Sequence, residues 1–335
     1  MQTPLISVVL PFFQEKQELN VSIESVLNQS FTSFELILVG NNASQIASSI
    51  AQSWRKKDKR IVLLKEEKQG IVYALNAGIS HARGKYIARM DGDDRSLPQR
   101  LEKQVFFLEN NQQYDVVSCQ TKFGSTIHES RGYGLFVEWQ NSIITNEQHQ
   151  LYRFIESPLA HPSVMFRKTL VDKHGLYSTD DIPEDYELWL RWMENGVSFY
   201  KLPEVLIEWN DHQKRLSRNH SNYSKEAFNF VRSNYLTRWI KKEVHASKKI
   251  IVCGSSKICR KRAALLQKNG IEISGFTDVS LRRQKQADVI HYEELTKAED
   301  WFLINFISKR GVGDAIRKYF TTKGFVEGID FIMAG

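Results

Sequence analysis

Three carboxylates stand within four residues in the segment Asp91-Gly92-Asp93-Asp94. The segment follows an apolar run, Tyr86 to Met90, that is typical of a buried strand. Carboxylates crowded in this way repel one another unless a cation neutralises them. Hard oxygen ligands suit Mg²⁺ or Mn²⁺, which commonly bind one or two carboxylates together with substrate phosphates. Because Asp and Gly also favour turns, the sequence alone leaves both a metal site and an acidic turn open.

A second acidic signal is the pair Glu184-Asp185, which follows Pro183 and precedes an amphipathic helical run. A carboxylate at this place can cap the helix, since short acidic side chains accept hydrogen bonds from the first backbone N–H groups. It can also act as a general base, provided that it lies within hydrogen-bond reach of a substrate hydroxyl. The sequence does not decide between a cap and a base at Asp185.

Two histidines are further candidates. His161 opens the segment His161-Pro162-Ser163-Val164-Met165-Phe166, at the start of a predicted strand, whereas His212 lies in a polar loop with Arg215 and Arg218. Either imidazole can bind a metal or a phosphate group, but an isolated histidine is also commonly a solvated or core residue. The basic residues around His212 can equally form a solvated surface.

The first 110 residues predict the elements that would position these groups. Four short, near-continuous apolar runs have the form that buried parallel strands take: Leu5 to Leu10, Phe34 to Val39, Ile61 to Leu64 and Lys85 to Met90. Helical patterns lie between them, as in the spacing of Leu19, Ile23, Val26 and Leu27. Alternating strands and helices predict a doubly wound, mostly parallel α/β sheet that binds ligands at the carboxyl ends of its strands. We therefore expect site residues to follow Leu10, Val39 and Met90.

The chain beyond residue 220 has a different character. Residues 221–248 read as a polar, basic helix, and a second strand and helix series begins at Lys249. This division predicts one α/β domain over residues 1–220, a helical basic linker over 221–248 and a small Rossmann-like α/β domain over 249–335. Basic residues mixed with Tyr235 and Trp239 suit an anionic membrane interface. The alternative is that both aromatic rings dock onto the N-terminal domain and only the charges face water.

The composition excludes several classes of protein. With 41% hydrophobic and 25% charged residues, the 335-residue chain resembles an ordinary globular protein rather than a disordered one. Three cysteines without Cys-x-x-Cys spacing suggest neither a disulfide framework nor a zinc site, and they favour a reducing compartment. We expect no signal peptide and no membrane span, hence a cytoplasmic protein that can lie peripherally at the inner face of the membrane. The net charge of +7 favours anionic partners, but the basic residues are dispersed and predict no nucleic-acid module.

Read in order, the motifs resemble glycosyltransferase family 2, the inverting enzymes with the GT-A fold. The resemblance covers about residues 5–218. It rests on nine segments: Ser7 to Phe13, Ser25 to Phe31, Phe34 to Val39, Ala74 to Ile79, Arg83 to Ala88, Asp91 to Asp94, His161 to Arg167, Glu184 to Trp189 and Leu202 to Leu206. The C-terminal region resembles the Rossmann-like tails of some bacterial sugar-processing enzymes.

This resemblance implies a metal-dependent transfer of a sugar from a nucleotide diphosphate to a hydroxyl of a glycan or lipid-linked acceptor, in the synthesis of a surface polysaccharide or lipooligosaccharide. It makes Asp185 the catalytic base. It makes Asp93 and His212 contacts of a divalent ion, Mn²⁺ or Mg²⁺. The resemblance also implies a set of residues that bind the nucleotide sugar: Pro11, Phe12, Asn41, Asn76, Asp91 and His161.

This chain departs from the family pattern in the pocket for the nucleotide base. The family usually places an acidic residue after its second strand, at the position that this chain fills with Asn41. An amide both donates and accepts, whereas a carboxylate only accepts. A UDP-sugar remains the first expectation for the donor, with the nucleotide base left open.

Two other functions stay open. The altered Gly40-Asn41 segment is compatible with an inactive nucleotide-sugar-binding module. The C-terminal region has Asp278 about 20 residues after a glycine turn at Gly254, as dinucleotide-binding proteins do, but it lacks two of the three glycines of that fingerprint. An NAD-binding oxidoreductase is therefore the weaker alternative.

Overall fold

A computed structural model describes residues 3–125, 131–213, 215–280, 286–297, 300–309 and 311–335. The chain divides into two compact units. The N-terminal unit comprises Met1–Asn146 and Pro158–His220, and the C-terminal unit comprises Glu147–Ser157 and Ser221–Gly335. Residues 221–248 thus belong to the C-terminal unit in the structure. The predicted domain boundaries at 220 and 248 stay a prediction.

The N-terminal unit is built on an eight-stranded sheet with the order β3-β2-β1-β4-β7-β6-β8-β5. Its strands are β1 (Ile6–Phe12), β2 (Phe34–Asn41), β3 (Ile61–Glu66), β4 (Tyr86–Arg89), β5 (Arg95–Ser96), β6 (Val116–Ser125), β7 (Met165–Arg167) and β8 (Phe199–Asp211). The strands β1 to β4 pair in parallel, β6 and β8 are also parallel, and the pairings of β7 and β5 are antiparallel. The predicted mostly parallel α/β sheet is confirmed.

Helices cover both faces of this sheet. The helices of the N-terminal unit are α1 (Gln17–Leu27), α2 (Gln45–Lys57), α3 (Ile71–His81), α4 (Arg100–Asn110), α5 (Arg131–Ser142), α7 (Thr169–His174), α8 (Glu184–Glu194) and α9 (Leu216–Asn219). The helix α6 (Asn146–Tyr152) belongs, except for its first residue, to the C-terminal unit. Successive residues of β1 alternate between the two cores: Val8 and Leu10 pack on one face with α1, and Val9 packs on the other with α3. A strand buried on both faces needs an apolar residue at every position, which explains the unbroken runs in the sequence.

Buried polar groups fix the carboxyl end of β4. The Arg100 guanidinium donates to the Arg89 carbonyl (2.8 Å) and to the Val164 carbonyl (3.2 Å), and the Gln104 amide donates to the Ser163 carbonyl (2.8 Å). Burial lowers the pKa of Arg100 to about 10, so the group stays charged at neutral pH. These side chains from α4 satisfy carbonyl groups that would otherwise be buried without partners. The acidic segment therefore leaves the sheet from a rigid strand end.

The C-terminal unit contains a five-stranded, all-parallel sheet with the order β11-β10-β9-β12-β13. Its elements are β9 (Lys249–Cys253), β10 (Ile273–Asp278), β11 (Val289–His291), β12 (Trp301–Asn305), β13 (Phe331–Met333), α10 (Lys225–Glu243), α11 (Lys257–Lys268) and α12 (Val312–Thr322). The predicted second α/β series is thus present. The short strand β11 was not predicted, because it contributes only three residues.

The basic helix α10 packs within the C-terminal unit. Tyr235 is buried, and the Trp239 ring lies 5.9 Å from the ring of Phe154 and 5.8 Å from that of Phe302. The Trp239 ring therefore packs within the C-terminal unit, whereas the sequence offered a membrane surface or the N-terminal domain as its partner. Lys242 is 70% exposed. Within the described ranges, the structure contains no helix whose length and apolarity would let it cross a membrane.

Candidate functional site

The acidic segment lies immediately beyond the carboxyl end of β4. Asp91, Asp93 and Asp94 each present a carboxylate oxygen, and these oxygens lie within 4.8 Å of one another. His212, which follows β8, places its Nε2 2.8 Å from Oδ2 of Asp93. The structure thus brings together the two predicted metal contacts, Asp93 and His212, although they stand 119 residues apart in the sequence.

Residues at the end of β8 hold this segment in place. The Asn210 side chain donates to the Asp93 carbonyl (2.8 Å), and the Asn210 backbone N–H donates to Oδ1 of Asp94 (2.8 Å). The guanidinium of Arg215 stacks 3.8 Å above the ring of Trp209 and donates to the Asn210 carbonyl (3.0 Å). The acidic loop is therefore held at two strands of the sheet, β4 and β8.

The electrostatics of the three carboxylates are strongly uneven. Burial alone would raise the pKa of Asp93, but the hydrogen bond with His212 and the charge of Arg215 hold it below its ordinary value. In contrast, burial together with the charges of Asp93 and Asp91 raises the pKa of Asp94 well above its ordinary value. Oδ2 of Asp94 is buried and has no hydrogen-bond partner among the residues that the structure describes. Such an oxygen is costly to bury and fits a site that binds a cation.

A fourth carboxylate, Glu15, was missed by the sequence analysis. It lies in the loop after β1, and Oε2 of Glu15 accepts a hydrogen bond from the Phe13 backbone N–H at 2.6 Å. A Cβ atom at Gly92 would come within 3.3 Å of its carboxyl carbon. Burial, with added repulsion from Asp93 and Asp91, raises the pKa of Glu15. Glu15 follows β1, whose carboxyl end was expected to carry site residues. The acidic residues just after that strand were therefore the signal that could have identified it.

Asp91, a predicted donor contact, forms an ion pair with a buried arginine. Nη2 of Arg89 lies 2.5 Å from Oδ1 of Asp91, and the Arg89 side chain is only 2% exposed. The negative charge of Asp91 keeps the pKa of Arg89 above its ordinary value, although burial acts in the opposite direction. Arg89 lies within an otherwise apolar strand, so the sequence analysis treated it only as a strand residue.

The predicted base Asp185 lies in the first turn of α8. The N-cap residue of this helix is Pro183, and Oδ1 of Asp185 accepts a hydrogen bond from the adjacent Tyr186 backbone N–H at 2.7 Å. Burial and the neighbouring charge of Glu184 raise the pKa of Asp185 to about 8. Arg89 and Asp91 also act on its pKa, with opposite signs, which places the base near the acidic segment. A carboxylate with a pKa near neutrality has the proton affinity that a general base needs.

Asn76 and His161 both contact Tyr177. The Asn76 side chain forms two hydrogen bonds with the backbone of Tyr177, and Nε2 of His161 lies 2.7 Å from the Tyr177 hydroxyl. Burial and the charge of Arg89 lower the pKa of His161 well below its ordinary value, so the imidazole is neutral. Both side chains contact Tyr177 in the structure, and their predicted contact with the nucleotide sugar stays a prediction.

The remaining predicted donor residues lie at the ends of β1 and β2. Pro11 and Phe12 pair with Val39 and Gly40 of the adjacent strand, and the Phe12 ring is buried against Gly40. The Asn41 side chain donates to the Lys68 carbonyl (2.7 Å) and accepts from the Gly70 N–H (2.8 Å). Asn41 therefore ties the loop between β3 and α3 to the end of β2.

We expect that Asn41→Asp weakens this loop. A carboxylate cannot donate to the Lys68 carbonyl, so the change leaves two acceptors facing each other and should lower the free energy of unfolding by about 1–3 kcal/mol. Thermal or urea denaturation measures the loss, and Asn28→Asp, at an exposed amide at the end of α1, is the comparison. Competition among UDP, GDP, CDP and dTDP for the same variant tests the base-pocket prediction. An unchanged order of the four nucleotides would show that Asn41 does not contact the base.

Comparison with known proteins decides the family. A model of the glycosyl transferase family 2 matches residues 7–175, half of the chain. The chain belongs to glycosyl transferase family 2. The O-antigen biosynthesis glycosyltransferase WbnJ of Escherichia coli is 28% identical over 255 residues, which cover 74% of this chain and 97% of WbnJ.

Two solved structures share the fold. S. aureus TarS 1-349 in complex with UDP-GlcNAc aligns with a TM-score of 0.54 at 14% identity, over 70% of this chain and 72% of that one. The mannosyltransferase PcManGT of Pyrobaculum calidifontis, in complex with GDP-Man and Mn²⁺, aligns with a TM-score of 0.51 at 16% identity, over 80% of this chain and 69% of that one. The predicted family and the GT-A type fold, followed by a second α/β unit, are confirmed, and the chain is a glycosyltransferase.

In this family 2 glycosyltransferase, the dinucleotide-like turn of the C-terminal unit is filled by its own side chains. Oδ2 of Asp278 accepts hydrogen bonds from both the backbone N–H (2.9 Å) and the hydroxyl (2.7 Å) of Ser255. A Cβ at Gly254 would lie 2.7 Å from Ile307 and 2.8 Å from Cys259. The acidic group that would bind a ribose in the NAD-binding alternative is therefore engaged by the turn itself.

Proposed function

We propose that this protein is an inverting, metal-dependent glycosyltransferase. It moves a sugar from a nucleoside diphosphate, UDP in the first instance, to a hydroxyl of a glycan or lipid-linked acceptor in surface polysaccharide or lipooligosaccharide synthesis. One observation carries the proposal: three carboxylates, one of them with a buried oxygen that lacks a hydrogen-bond partner among the described residues, meet a histidine at the carboxyl end of β4, near a carboxylate whose pKa is raised to about 8. The N-terminal unit is the catalytic unit in this account.

The acidic cluster fits a divalent cation. Asp93 and His212 supply one carboxylate oxygen and one imidazole nitrogen, and Asp94 supplies the oxygen that lacks a partner among the described residues. Oxygen-rich sets of this kind suit Mn²⁺ or Mg²⁺, and the fold is shared with a mannosyltransferase whose structure contains GDP-Man and Mn²⁺. When bound, the ion supplies Lewis-acid stabilisation of the leaving diphosphate. Asp91, held by Arg89, is oriented for the ribose or for the ion.

The transfer itself rests on Asp185. Its carboxylate takes the proton of the acceptor hydroxyl while the hydroxyl oxygen forms a bond to the anomeric carbon of the donor sugar. The bond from that carbon to the diphosphate oxygen breaks on the opposite face, so the configuration inverts and the nucleoside diphosphate leaves with the electron pair. The raised pKa of Asp185 makes the group a stronger proton acceptor than an ordinary carboxylate.

The acidic cluster supports a nucleoside diphosphate sugar as the donor, and the identity of the nucleotide base is left to experiment. TarS was solved with UDP-GlcNAc and PcManGT with GDP-Man, so the fold accepts both a pyrimidine and a purine nucleotide. The acceptor class is suggested by WbnJ, whose name places it in O-antigen biosynthesis. An inactive nucleotide-sugar-binding module is the second candidate. It would bind the same nucleotides and release no product.

A thermal-shift screen tests the proposal. Purified protein is heated with UDP, GDP, CDP, dTDP and their common sugar conjugates, each with Mn²⁺ and with EDTA. We expect one nucleotide family to raise Tm in Mn²⁺ and to have little effect in EDTA. The conjugates that bind are then incubated with the protein, and the release of nucleoside diphosphate is measured. Binding without release would favour the inactive module, and equal shifts in Mn²⁺ and EDTA would remove the metal from the proposal.

The raised pKa of Asp185 predicts a pH dependence. Below about pH 8 the carboxyl group carries its proton and cannot accept another, so kcat/KM should fall as the pH is lowered, by about tenfold per unit well below the pKa. Initial rates of nucleoside diphosphate release in Mn²⁺ at pH values between about 6 and 9 measure this effect. A profile that is flat across this range would assign the proton to another group.

We also propose a peripheral location at the cytoplasmic face of the membrane. The three cysteines are free and buried, which suits a reducing compartment. Because the aromatic rings of α10 pack within their own unit, any attraction to lipid depends on exposed basic residues such as Lys241 and Lys242.

We expect salt-sensitive sedimentation with anionic but not neutral liposomes, since exposed charges are screened over about 8 Å at physiological ionic strength. Lys241→Glu combined with Lys242→Glu should weaken the sedimentation, and Tm of the variant is checked because Lys241 also donates to the Asn269 carbonyl (2.9 Å). Equal recovery with both liposome types would contradict an electrostatic contact.

A further inference from the structure

Tyr177 lies in the segment between α7 and α8 and is held at both ends. Its backbone carbonyl accepts a hydrogen bond from Nδ2 of Asn76 (3.0 Å), and its backbone N–H donates to Oδ1 of the same amide (3.1 Å). The Tyr177 side chain is 4% exposed. A paired donor and acceptor from one amide fix a backbone segment in both position and orientation. Helix α3 therefore determines where this segment runs.

The phenol is held from the opposite side by His161. The Tyr177 hydroxyl lies 2.7 Å from Nε2 of His161, and Nδ1 of the same imidazole lies 4.0 Å from Oε1 of Glu184. Because the imidazole is neutral, one ring nitrogen accepts and the other carries a proton. A proton on Nδ1 faces the Glu184 carboxylate, and the hydroxyl of Tyr177 then donates to Nε2. The chain of contacts runs from α3 through Tyr177 and His161 to the first turn of α8.

The phenol is also near the charged groups of the site. Burial raises the pKa of Tyr177, and the charges of Glu184, Asp185 and Asp91 raise it further, while the charge of Arg89 opposes them. The Tyr177 side chain is thus within electrostatic range of the Glu184–Asp185 pair on α8 and of Asp91 in the acidic segment after β4. No sequence motif singled it out, because a tyrosine in an irregular segment has no distinctive spacing.

We propose that Tyr177 is a positioning residue for the Glu184–Asp185 pair, and that Asn76 and His161 act on the reaction by holding Tyr177 rather than by binding the nucleotide sugar. The proposal rests on the proposed function, since it assigns Asp185 as the base. Asn76 holds the backbone of Tyr177, His161 holds its hydroxyl, and the same imidazole lies beside Glu184 in the first turn of α8. This arrangement keeps the base at a fixed distance from the acidic segment. A misplaced base loses turnover without losing the nucleotide, because the nucleotide is bound elsewhere.

The amide of Asn76 gives the clearest contrast with direct donor binding. Its carbonyl oxygen and one N–H are already engaged by the Tyr177 backbone. A direct contact with the nucleotide sugar would have to compete with these two hydrogen bonds. In the positioning account, the same bonds are kept throughout the reaction.

A double-mutant cycle of Tyr177→Phe and His161→Asn tests the proposal. The first change removes only the hydroxyl, and the second shortens the side chain so that it no longer reaches the phenol. Nucleoside diphosphate release to water from the best conjugate of the screen gives kcat and KM for wild type, both single variants and the double variant. Tyr114→Phe, in the aromatic cluster with Phe107 and Tyr200, is the matched control.

We expect each single variant to lower kcat at least about tenfold and to leave the donor KM within about threefold, with the double variant no slower than the slower single variant. Tyr114→Phe should match wild type. A rise of about tenfold or more in donor KM for His161→Asn, with Tyr177→Phe unaffected, would overturn the proposal and return His161 to the donor site. So would multiplicative losses of kcat in the double variant.

A second measurement separates this proposal from the proposed function. Thermal denaturation of the same four proteins needs no turnover, and coupled side chains give a Tm loss in the double variant smaller than the sum of the single losses, by about 2 °C or more. If wild type releases no nucleotide from any conjugate, the proposed function fails. Additive Tm losses would show instead that the phenol and the imidazole are not linked, which overturns the positioning role whatever the activity.

Discussion

Replacing Asp185 with Asn is expected to lower turnover by about 10²–10⁴-fold while nucleotide affinity changes only a few-fold. The amide has nearly the same shape as the carboxylate but cannot take the proton of the acceptor hydroxyl. It also removes the charge that Glu184 and Asp91 repel, so the variant should fold at least as well as wild type. Nucleoside diphosphate release and direct binding of the nucleotide in Mn²⁺ give the two quantities separately.

Asp181→Asn is the matched control for this experiment. Asp181 is exposed and lies four residues before Asp185, so the same chemical change there should leave both turnover and binding as in wild type. If Asp185→Asn retained ordinary turnover, the base would have to be another residue. A loss of nucleotide binding in the variant would instead make Asp185 a donor contact.

Replacing Asp93 with Ala should abolish the stimulation of nucleotide binding by Mn²⁺ and leave the fold intact. Asp93 is the residue that contacts His212 and lies within the triad of carboxylates. Its removal relieves the repulsion that raises the pKa values of Asp94 and Glu15, but it also removes the contact with His212 that holds the pKa of Asp93 low, so we expect the metal-free protein to stay folded with at most a small loss in Tm. Mutation of a residue that only orients a metal ligand commonly lowers metal affinity by about 10–100-fold. We expect that loss of the ligand Asp93 itself lowers the affinity for Mn²⁺ by at least about this factor.

Asp172→Ala, on the exposed surface of α7, is the control for general effects of losing an aspartate. Titration of the nucleotide that binds in the screen, at fixed Mn²⁺ and then in EDTA, gives the stimulation for each protein. An Asp93→Ala variant with the same Mn²⁺ stimulation as wild type would place the ion elsewhere, and a variant that unfolds would assign Asp93 a structural role.

Much of the fold could be predicted because parallel strands buried on both faces leave a clear pattern. The unbroken apolar runs of β1 and β2 follow from the cores on either face, and their carboxyl ends marked where Pro11 and Asn41 would lie. The acidic segment after β4 was found for the same reason. Three carboxylates in four residues at a strand end are compatible with a cation site, but the pattern by itself also fits an acidic turn.

The contacts within the site could be predicted only in part. Asp93 follows β4 and His212 follows β8, two strands that are far apart in the sequence, so their pairing could be predicted only from the family resemblance. The same resemblance assigned Asn76 and His161 to the donor, whereas the structure brings both to Tyr177. Contacts of this kind depend on side chains from three separate elements. A pattern of spacing along one element cannot report them.

Arg89 shows a different limit. A single arginine in an apolar strand reads as an interruption of the pattern, and the ion pair that explains it, 2.5 Å to Asp91, exists only once the loop has folded back over the strand end. Burying a guanidinium is costly unless a carboxylate compensates it. An arginine in a strand that leads directly into an acidic segment is therefore a useful signal of a buried pair.

The most direct test of the account is to follow by proton NMR the turnover of an α-linked nucleotide sugar that the protein binds, with water as the only acceptor and with Mg²⁺ as the divalent ion, because Mg²⁺ is diamagnetic and leaves the sugar signals sharp. The account predicts that nucleoside diphosphate is released only with the divalent ion and that the first free sugar observed is the β anomer, because Asp185 activates the attacking oxygen on the face opposite the diphosphate. The Asp185→Asn variant should release neither product at a comparable rate. An α anomer as the first product, or equal release in EDTA, would contradict an inverting, metal-dependent transfer.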